Sequence, residues 1–186
     1  SDNYTWVLSR LVIDMDRMPD ESDSLVIDTW IEKIGTAFTT RNFRLFDGSG
    51  KVIGHAASSW AVIDMLSRRS VMLDTLPGMQ QFVVKESTPI GEPGRIPNVS
   101  GEEANRFQVK YSDIDINSHA NSLNYIQWFS DCFSLDFYRS HHIRRFEVNF
   151  LKEIVFGDEG VVYRQEISPG DYLFQMETRD KGVACR

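Results

Sequence analysis

The sequence predicts an α+β fold in which antiparallel sheet predominates and a long amphipathic helix lies in the second half. Three observations lead to this prediction. The first half holds four segments rich in β-branched and aromatic residues, which are typical of strands. Apolar residues recur at helical spacing between positions 123 and 137. Residues 43–53 resemble residues 174–184, each with a strand, a charged turn and a second strand, so the two halves are predicted to be copies of one unit.

In the first half, the predicted strands cover residues 6–16, 24–34, 38–46 and 51–65. The last two are joined by Asp47-Gly-Ser-Gly50, a glycine-containing turn that is typical of a β-hairpin. This half is therefore expected to be mostly antiparallel sheet. We assign residues 1–70 to a first domain.

Prolines at 77, 89, 93 and 97 interrupt every regular period after the first half. This pattern of prolines predicts a linker over residues 71–104, with one short helix at most. The second domain is assigned to residues 105–186. It is expected to open with a short strand at 107–111 and to continue with a helix of about five turns, since one turn takes 3.6 residues. The apolar face of that helix, expected to be core, consists of Leu123, Ile126, Phe129, Phe133 and Phe137.

Strands are predicted to resume at residues 144–154, 159–167, 172–178 and 182–186. If the halves are copies, the first lacks its opening strand and most of its helix. The second stops near the position that matches Ala56. We therefore expect the first unit to be truncated at its N-terminus and the second at its C-terminus.

Composition excludes several classes of function. The formal net charge of −7 argues against nucleic acid or an anionic membrane as the main partner, because either would favour a broad basic surface. No apolar run approaches the roughly 20 residues of a membrane-spanning helix, so membrane insertion is not expected. Cys132 and Cys185 are too few and too isolated for a disulfide framework or a zinc knuckle, which favours a reducing cytoplasm.

A polar cluster precedes the predicted helix and is the strongest candidate for a reaction site. Asp113 and Asp115 can accept protons or hydrogen bonds, Asn117 can donate to a carbonyl oxygen, and His119 can move a proton near neutral pH. The alternative is that Asp115 or Asn117 only caps the helix. Asp113 has no matching role and is interpreted as structural.

The motif Asp115-Ile-Asn117-Ser-His119, placed between a strand and a helix in a duplicated unit, resembles the double hotdog fold of fatty acyl-ACP thioesterases. The resemblance is to bacterial members that are like the plant type, and it covers nearly the whole chain. Three further segments agree with it: Asp28-Thr-Trp30-Ile-Glu, the hairpin from Arg41-Asn-Phe43 to Ser58-Ser-Trp60, and Phe150-Leu-Lys-Glu153-Ile.

The resemblance implies that Glu153, on the strand after the helix, is the partner of this motif. Plant members commonly have cysteine directly after that glutamate, whereas this chain has Ile154, so a thiol nucleophile at that position is excluded. His119, oriented by Glu153, would then be the base for water. Asn117 and backbone N–H groups at the helix start would bind the thioester oxygen.

Other assignments stay open. Asp115 either orients the loop or attacks the thioester itself. By the resemblance the first half lines the acyl tunnel, to which Trp30 and Trp60 are candidate contributors, although each fits plain core equally well. His141 and His142 have no metal-ligand spacing, so no metal and no cofactor are expected.

The predicted function is hydrolysis of fatty acyl-ACP to free fatty acid and carrier protein. The alternatives are an acyl-CoA thioesterase of the same fold and a non-catalytic acyl sensor. A hydratase is disfavoured because no proline lies between Asn117 and His119. The arginine pairs at 68–69 and 144–145 are candidates for docking the acidic carrier protein, or are plain surface. Whether two chains pair as a homodimer is left open.

Overall fold

The computed structural model describes residues 3–75 and 78–186, and the chain divides into two compact units. One unit runs to Gly94 and also takes in His142–Val148; the other comprises Arg95–His141 and Asn149–Arg186. In chain order the strands are β1 (Tyr4–Met15), β2 (Leu25–Ile34), β3 (Thr39–Asp47), β4 (Val52–Asp64), β5 (Ser70–Val71), β6 (Glu102–Gln108), β7 (Arg145–Asn149), β8 (Glu159–Ser168), β9 (Asp171–Thr178) and β10 (Gly182–Cys185). The α-helices are α1 (Ser122–Ser130) and α2 (Leu135–Ser140), and single 3-10 turns lie at Leu73–Thr75, Met79–Phe82 and Tyr111–Asp113.

The first unit is built on an antiparallel sheet with the order β2-β3-β4-β1-β7, with β5 added beside β4. The four strands predicted for the first half are all present, at bounds close to those expected. The predicted hairpin is confirmed as β3–β4. Its turn is closed by the Asp47 carboxylate, which accepts from the N–H groups of Ser49 at 3.0 Å and Lys51 at 3.1 Å. Gly50 adopts a φ of +83°, which favours glycine.

The predicted linker is mostly irregular, as its prolines suggest. Its described residues form two isolated 3-10 turns instead of one short helix, and its last residues already belong to β6. The segment after the second turn runs beside β2, where Val83 forms a parallel bridge with Ile31. The N–H of Val84 donates to the carbonyl of Ile31 at 2.8 Å. The linker is therefore fastened to the first sheet.

The second unit is a four-stranded antiparallel sheet with the order β10-β9-β8-β6, and α1 contacts it. Trp128 of α1 stacks on Phe107 of β6, with 4.4 Å between ring centroids. Phe129 packs against Phe174 of β9 at 5.4 Å. Val162 and Met176 are fully buried in this core. The two repeated segments both form antiparallel hairpins, β3–β4 and β9–β10.

The prediction of one long helix was wrong. The chain breaks between α1 and α2, where the Ser134 hydroxyl caps the new helix by accepting from the N–H of Phe137 at 3.2 Å. The break exposes the Cys132 carbonyl, which accepts from the Arg164 guanidinium at 2.9 Å. It also lets Phe133 stack on Phe137 at 4.2 Å. Leu123, expected in the core, is 64% exposed, because the face on which it lies is not covered in this unit.

Candidate active site

The predicted motif forms the tip of a tight loop ahead of α1. An antiparallel bridge joins Ile114 to Ala120, and the N–H of Asp115 donates to the His119 carbonyl at 2.9 Å. Ser118 lies in the left-handed region with a φ of +64°, a conformation that is uncommon outside glycine and reverses the chain here. The loop therefore places Asn117 and His119 close in space before the helix begins.

Asp115 organises this loop from within. Its Oδ1 accepts from the N–H of Asn117 at 2.8 Å and more weakly from that of His119 at 3.4 Å. The alternative that Asp115 or Asn117 caps α1 was wrong. Asn121 is the N-cap, because its side chain accepts from the N–H of Leu123 at 3.0 Å.

Glu153 meets the motif but does not lie on a strand. β7 ends at Asn149, so the predicted strand over 144–154 was too long, and Glu153 lies in the irregular segment that follows. Its Oε2 is 3.2 Å from Nε2 of His119. The two loops are tied by a hydrogen bond of 2.7 Å from the Ala120 N–H to the Ile154 carbonyl.

The His119–Glu153 pair is open to a reactant. The side chains are 29% and 44% exposed, so the pair is solvent-accessible and not a buried ion pair. With Nε2 facing the carboxylate, the neutral imidazole carries its proton on Nε2, and the lone pair of Nδ1 is available. The loop thus presents a base two residues from Asn117, which is also exposed.

The backbone N–H groups of this region are already in use. Those of residues 117–121, 123 and 124 all donate hydrogen bonds within the fold. The expectation that N–H groups at the helix start bind a substrate oxygen is therefore not supported for these residues, because each has a partner. The amide side chain of Asn117 is the better candidate donor.

Ile154 is fully buried. The position that follows Glu153 thus contributes its side chain to the core of the second unit. The glutamate is held in place on both sides by polar groups that the sequence did not single out, Tyr125 and Lys181. Tyr125 resembles any core aromatic on an amphipathic helix, and Lys181 resembles a surface lysine in a turn, so neither carried a signal in the sequence.

Trp30 and Trp60 both lie in the first unit. The Trp30 indole N–H donates to the Glu86 carbonyl at 2.6 Å, and the Arg44 guanidinium lies 5.2 Å from the centre of its ring. The Trp60 indole N–H donates to the Ser58 hydroxyl at 2.8 Å. These contacts suit packing residues, and the place of both side chains in an acyl pocket stays a prediction.

One candidate docking patch is neutralised. Arg145 contacts Asp14 at 3.1 Å and Glu147 at 2.6 Å, and Arg144 lies 3.8 Å from Asp14. Carboxylates therefore compensate this pair, which makes it a weak anchor for an acidic partner. The other pair, at 68–69, lies in the exposed turn after β4.

Other features do not coincide with the motif. A cleft of about 480 Å³ opens at the break between α1 and α2, where Phe133, Arg164 and Tyr172 contribute to its walls. Within residues 3–75 and 78–186, no three His, Cys, Asp or Glu side chains are grouped closely enough to hold a metal ion. In the same part of the chain, no helix has the length and apolar character needed to cross a membrane.

Comparison with protein families gives the same picture over most of the chain. Residues 1–75 match the acyl-ACP thioesterase N-terminal domain, and residues 97–184 match the acyl-ACP thioesterase C-terminal domain. The chain belongs to the acyl-ACP thioesterase family. The motif loop and Glu153 both lie within the part that matches the family's C-terminal domain.

Individual relatives agree with this membership. A crystal structure of an acyl-ACP thioesterase from Bacteroides thetaiotaomicron superposes with a TM-score of 0.92 at 38% identity, over 99% of this chain and 75% of that one. The 12:0-ACP thioesterase from Umbellularia californica superposes with a TM-score of 0.84 at 16% identity, over 99% of this chain and 74% of that one. The double hotdog fold expected from the sequence is thereby confirmed.

A relative from Gossypium hirsutum, palmitoyl-acyl carrier protein thioesterase, is 25% identical over 81% of this chain. The matched region spans 38% of that relative's length. The chain therefore spans well under half the length of this relative.

Proposed function

We propose that this protein hydrolyses fatty acyl-ACP thioesters to free fatty acid and carrier protein. The observation that carries the proposal is the 3.2 Å contact between His119 and Glu153, formed beside Asn117 in the part that matches the family's C-terminal domain. A base, a carboxylate that orients it and a donor for a carbonyl oxygen are the groups that water needs to attack a thioester.

In the proposed reaction, the Nε2–H of His119 donates a hydrogen bond to the Glu153 carboxylate and keeps its proton, while Nδ1 takes a proton from water. The water oxygen bonds to the thioester carbon while the carbonyl oxygen gains negative charge. The Asn117 side chain donates a hydrogen bond to that oxygen. The C–S bond then breaks, and the proton on His119 is transferred to the departing thiolate. No group is left oxidised or reduced, and no cofactor is required.

We assign Asp115 the role of orienting the loop. Its Oδ1 already accepts the N–H groups of Asn117 and His119, so it holds both neighbours in place. Direct attack by Asp115 to form an anhydride is the competing mechanism. Single-turnover hydrolysis in ¹⁸O-labelled water separates the two, since label found in the Asp115 carboxylate would establish covalent attack.

We also propose a division of labour between the halves. The region of residues 1–70 would line the acyl chain, with Trp30 and Trp60 as candidate contacts, and 105–186 would carry the reaction. The acidic carrier protein would be the macromolecular partner and the cytoplasm the location. The family of the relatives supports this proposal, as do the two cysteines, which are free thiols.

The test is release of free thiol from a panel of acyl-ACP substrates of different chain length. Asn117→Ala and His119→Ala should each lower kcat by about 10²-fold or more, because each removes a group that acts in the transition state. His142→Ala, at an exposed histidine outside the motif, is the matched control and should retain activity.

Two experimental outcomes would favour a different function. Faster hydrolysis of acyl-CoA than of every acyl-ACP would favour an acyl-CoA thioesterase. Tight acyl binding with no turnover by the wild-type protein would favour an acyl sensor.

A further inference from the structure

Tyr125 holds the backbone on both sides of Glu153. Its hydroxyl donates to the carbonyl of Lys152 at 3.3 Å and accepts from the N–H of Ile154 at 3.1 Å. These are the residues directly before and after Glu153 in the chain. One side chain on α1 therefore fixes the position from which the Glu153 carboxylate reaches His119.

The tyrosine ring is itself well fixed. Tyr125 is only 4% exposed, and its ring meets Phe150 edge-on at 5.4 Å and Trp128 at 5.8 Å. Burial raises the pKa of the Tyr125 phenol well above its ordinary value, so the hydroxyl keeps its proton and remains a donor. Loss of the hydroxyl alone would leave these ring contacts in place.

Lys181, in the turn between β9 and β10, also holds the segment that contains Glu153. The Lys181 ammonium donates to the Glu153 carbonyl at 3.2 Å and to Asp158 at 2.6 Å. Asp158 in turn accepts from the N–H of Val155 at 2.9 Å. These side chains therefore support an irregular segment that lies beyond the end of β7, in addition to the backbone hydrogen bonds from Lys152 to Ala184 and from Ala120 to Ile154.

We propose that Tyr125 is a positioning residue that sets the Glu153 carboxylate against His119, with Lys181 as a second support. This inference rests on the proposed function of the His119–Glu153 pair. The physical reason is that the pair meets at a 3.2 Å contact, and one of its members lies in a segment with no regular secondary structure. A shift of about 1 Å in such a segment can cost on the order of 10²-fold in rate.

The first test is Tyr125→Phe, which removes the hydroxyl and keeps the ring. We expect kcat for acyl-ACP to fall about 10- to 100-fold with little change in KM. Tyr138→Phe is the matched control. Its hydroxyl also donates to a backbone carbonyl, that of Ser130 at 2.8 Å, but away from Glu153, so this variant should keep the wild-type kcat.

A double-mutant cycle distinguishes positioning from general stability. If Tyr125 acts through Glu153, Tyr125→Phe should have little further effect in the Glu153→Gln background. An equal fold-loss in both backgrounds, or equal losses for Tyr125→Phe and Tyr138→Phe, would overturn the proposal.

A readout that does not depend on turnover is the tautomer of His119, observed by two-bond ¹H–¹⁵N correlation NMR. Tyr125→Phe should lower the fraction of imidazole with its proton on Nε2, in the direction of the Glu153→Gln spectrum. Lys181→Met, at a partly exposed lysine, should cause a smaller change in the same direction and serves if Tyr125→Phe does not fold.

Unchanged His119 spectra in folded Tyr125→Phe, or in Lys181→Met where that variant stands in, would refute the positioning role. An altered spectrum in a protein that hydrolyses no thioester would instead refute the proposed function and leave the positioning role standing.

Discussion

Replacement of Glu153 by glutamine tests the candidate site most directly. The side-chain carbonyl of glutamine can still accept a hydrogen bond from the Nε2–H of His119, so the variant removes the negative charge and little volume. That charge should matter most when His119 has taken a proton from water and carries a positive charge. We therefore expect the variant to lower kcat more than it raises KM.

The size of the effect follows from the 3.2 Å separation of the charged groups. Two unit charges at that distance attract by roughly 1 kcal/mol in bulk water and by about 5 kcal/mol at an effective dielectric of 20. Because the His119 and Glu153 side chains are 29% and 44% exposed, solvent screening keeps the value toward the lower end. We expect about 1.4–2.7 kcal/mol, which corresponds to a loss of about 10- to 100-fold in kcat.

The assay is steady-state release of free thiol from acyl-ACP, with Glu159→Gln as the control. Glu159 is an exposed glutamate of the same unit whose carboxylate accepts from the Gln108 amide at 3.1 Å, so its neutralisation should leave kcat unchanged. The reasoning is refuted if Glu153→Gln retains the wild-type kcat, or if only KM changes. The second result would assign Glu153 to substrate binding.

Three further predictions concern the thiols and the core of the second unit. Burial raises the pKa of the Cys132 thiol to about 11 and also raises that of the fully buried Cys185. Because only the thiolate reacts readily, treatment with an alkylating reagent at pH 7.5 should leave hydrolysis unchanged. Loss of activity in step with modification of Cys132 would contradict this prediction. Ile154→Ala should lower the free energy of unfolding in urea by about 2–5 kcal/mol, because that side chain is fully buried; a loss below about 1 kcal/mol would show that it is not a core position. Burial of Asp158 opposes its ionisation, but hydrogen bonds, chiefly from Lys181, lower the pKa of this carboxyl below its ordinary 3.8. Its stabilising contribution is therefore present above about pH 4 and is lost as the pH falls below that value. In denaturant titrations, Asp158→Asn should lower the free energy of unfolding at pH 6 and much less at pH 2.5. An equal loss of stability at both pH values would contradict this pH dependence.

Much of the fold could be predicted because its signals are local. Strands β1 to β4 follow from β-branched and aromatic segments, and the β3–β4 turn follows from Asp47 and Gly50. The helix was harder to predict. The spacing of Phe129, Phe133 and Phe137 fits one continuous helix, but the capped break places Phe133 in an aromatic cluster with β9 residues. Such packing depends on partners that are far away in the chain, so the spacing of apolar residues along the sequence does not predict it.

The candidate site, like the fold, could be predicted from the sequence only in part. The sequence by itself determined which residues are proposed to carry the chemistry, because Asp115, Asn117 and His119 are close neighbours and the family resemblance supplied Glu153. Only the tertiary structure decided that these residues lie on a capped loop and an irregular segment, and that Tyr125 holds the latter. Short-range patterns record backbone propensity and side-chain chemistry, whereas a hydrogen bond between positions 125 and 154 exists only after α1 has packed in its unit.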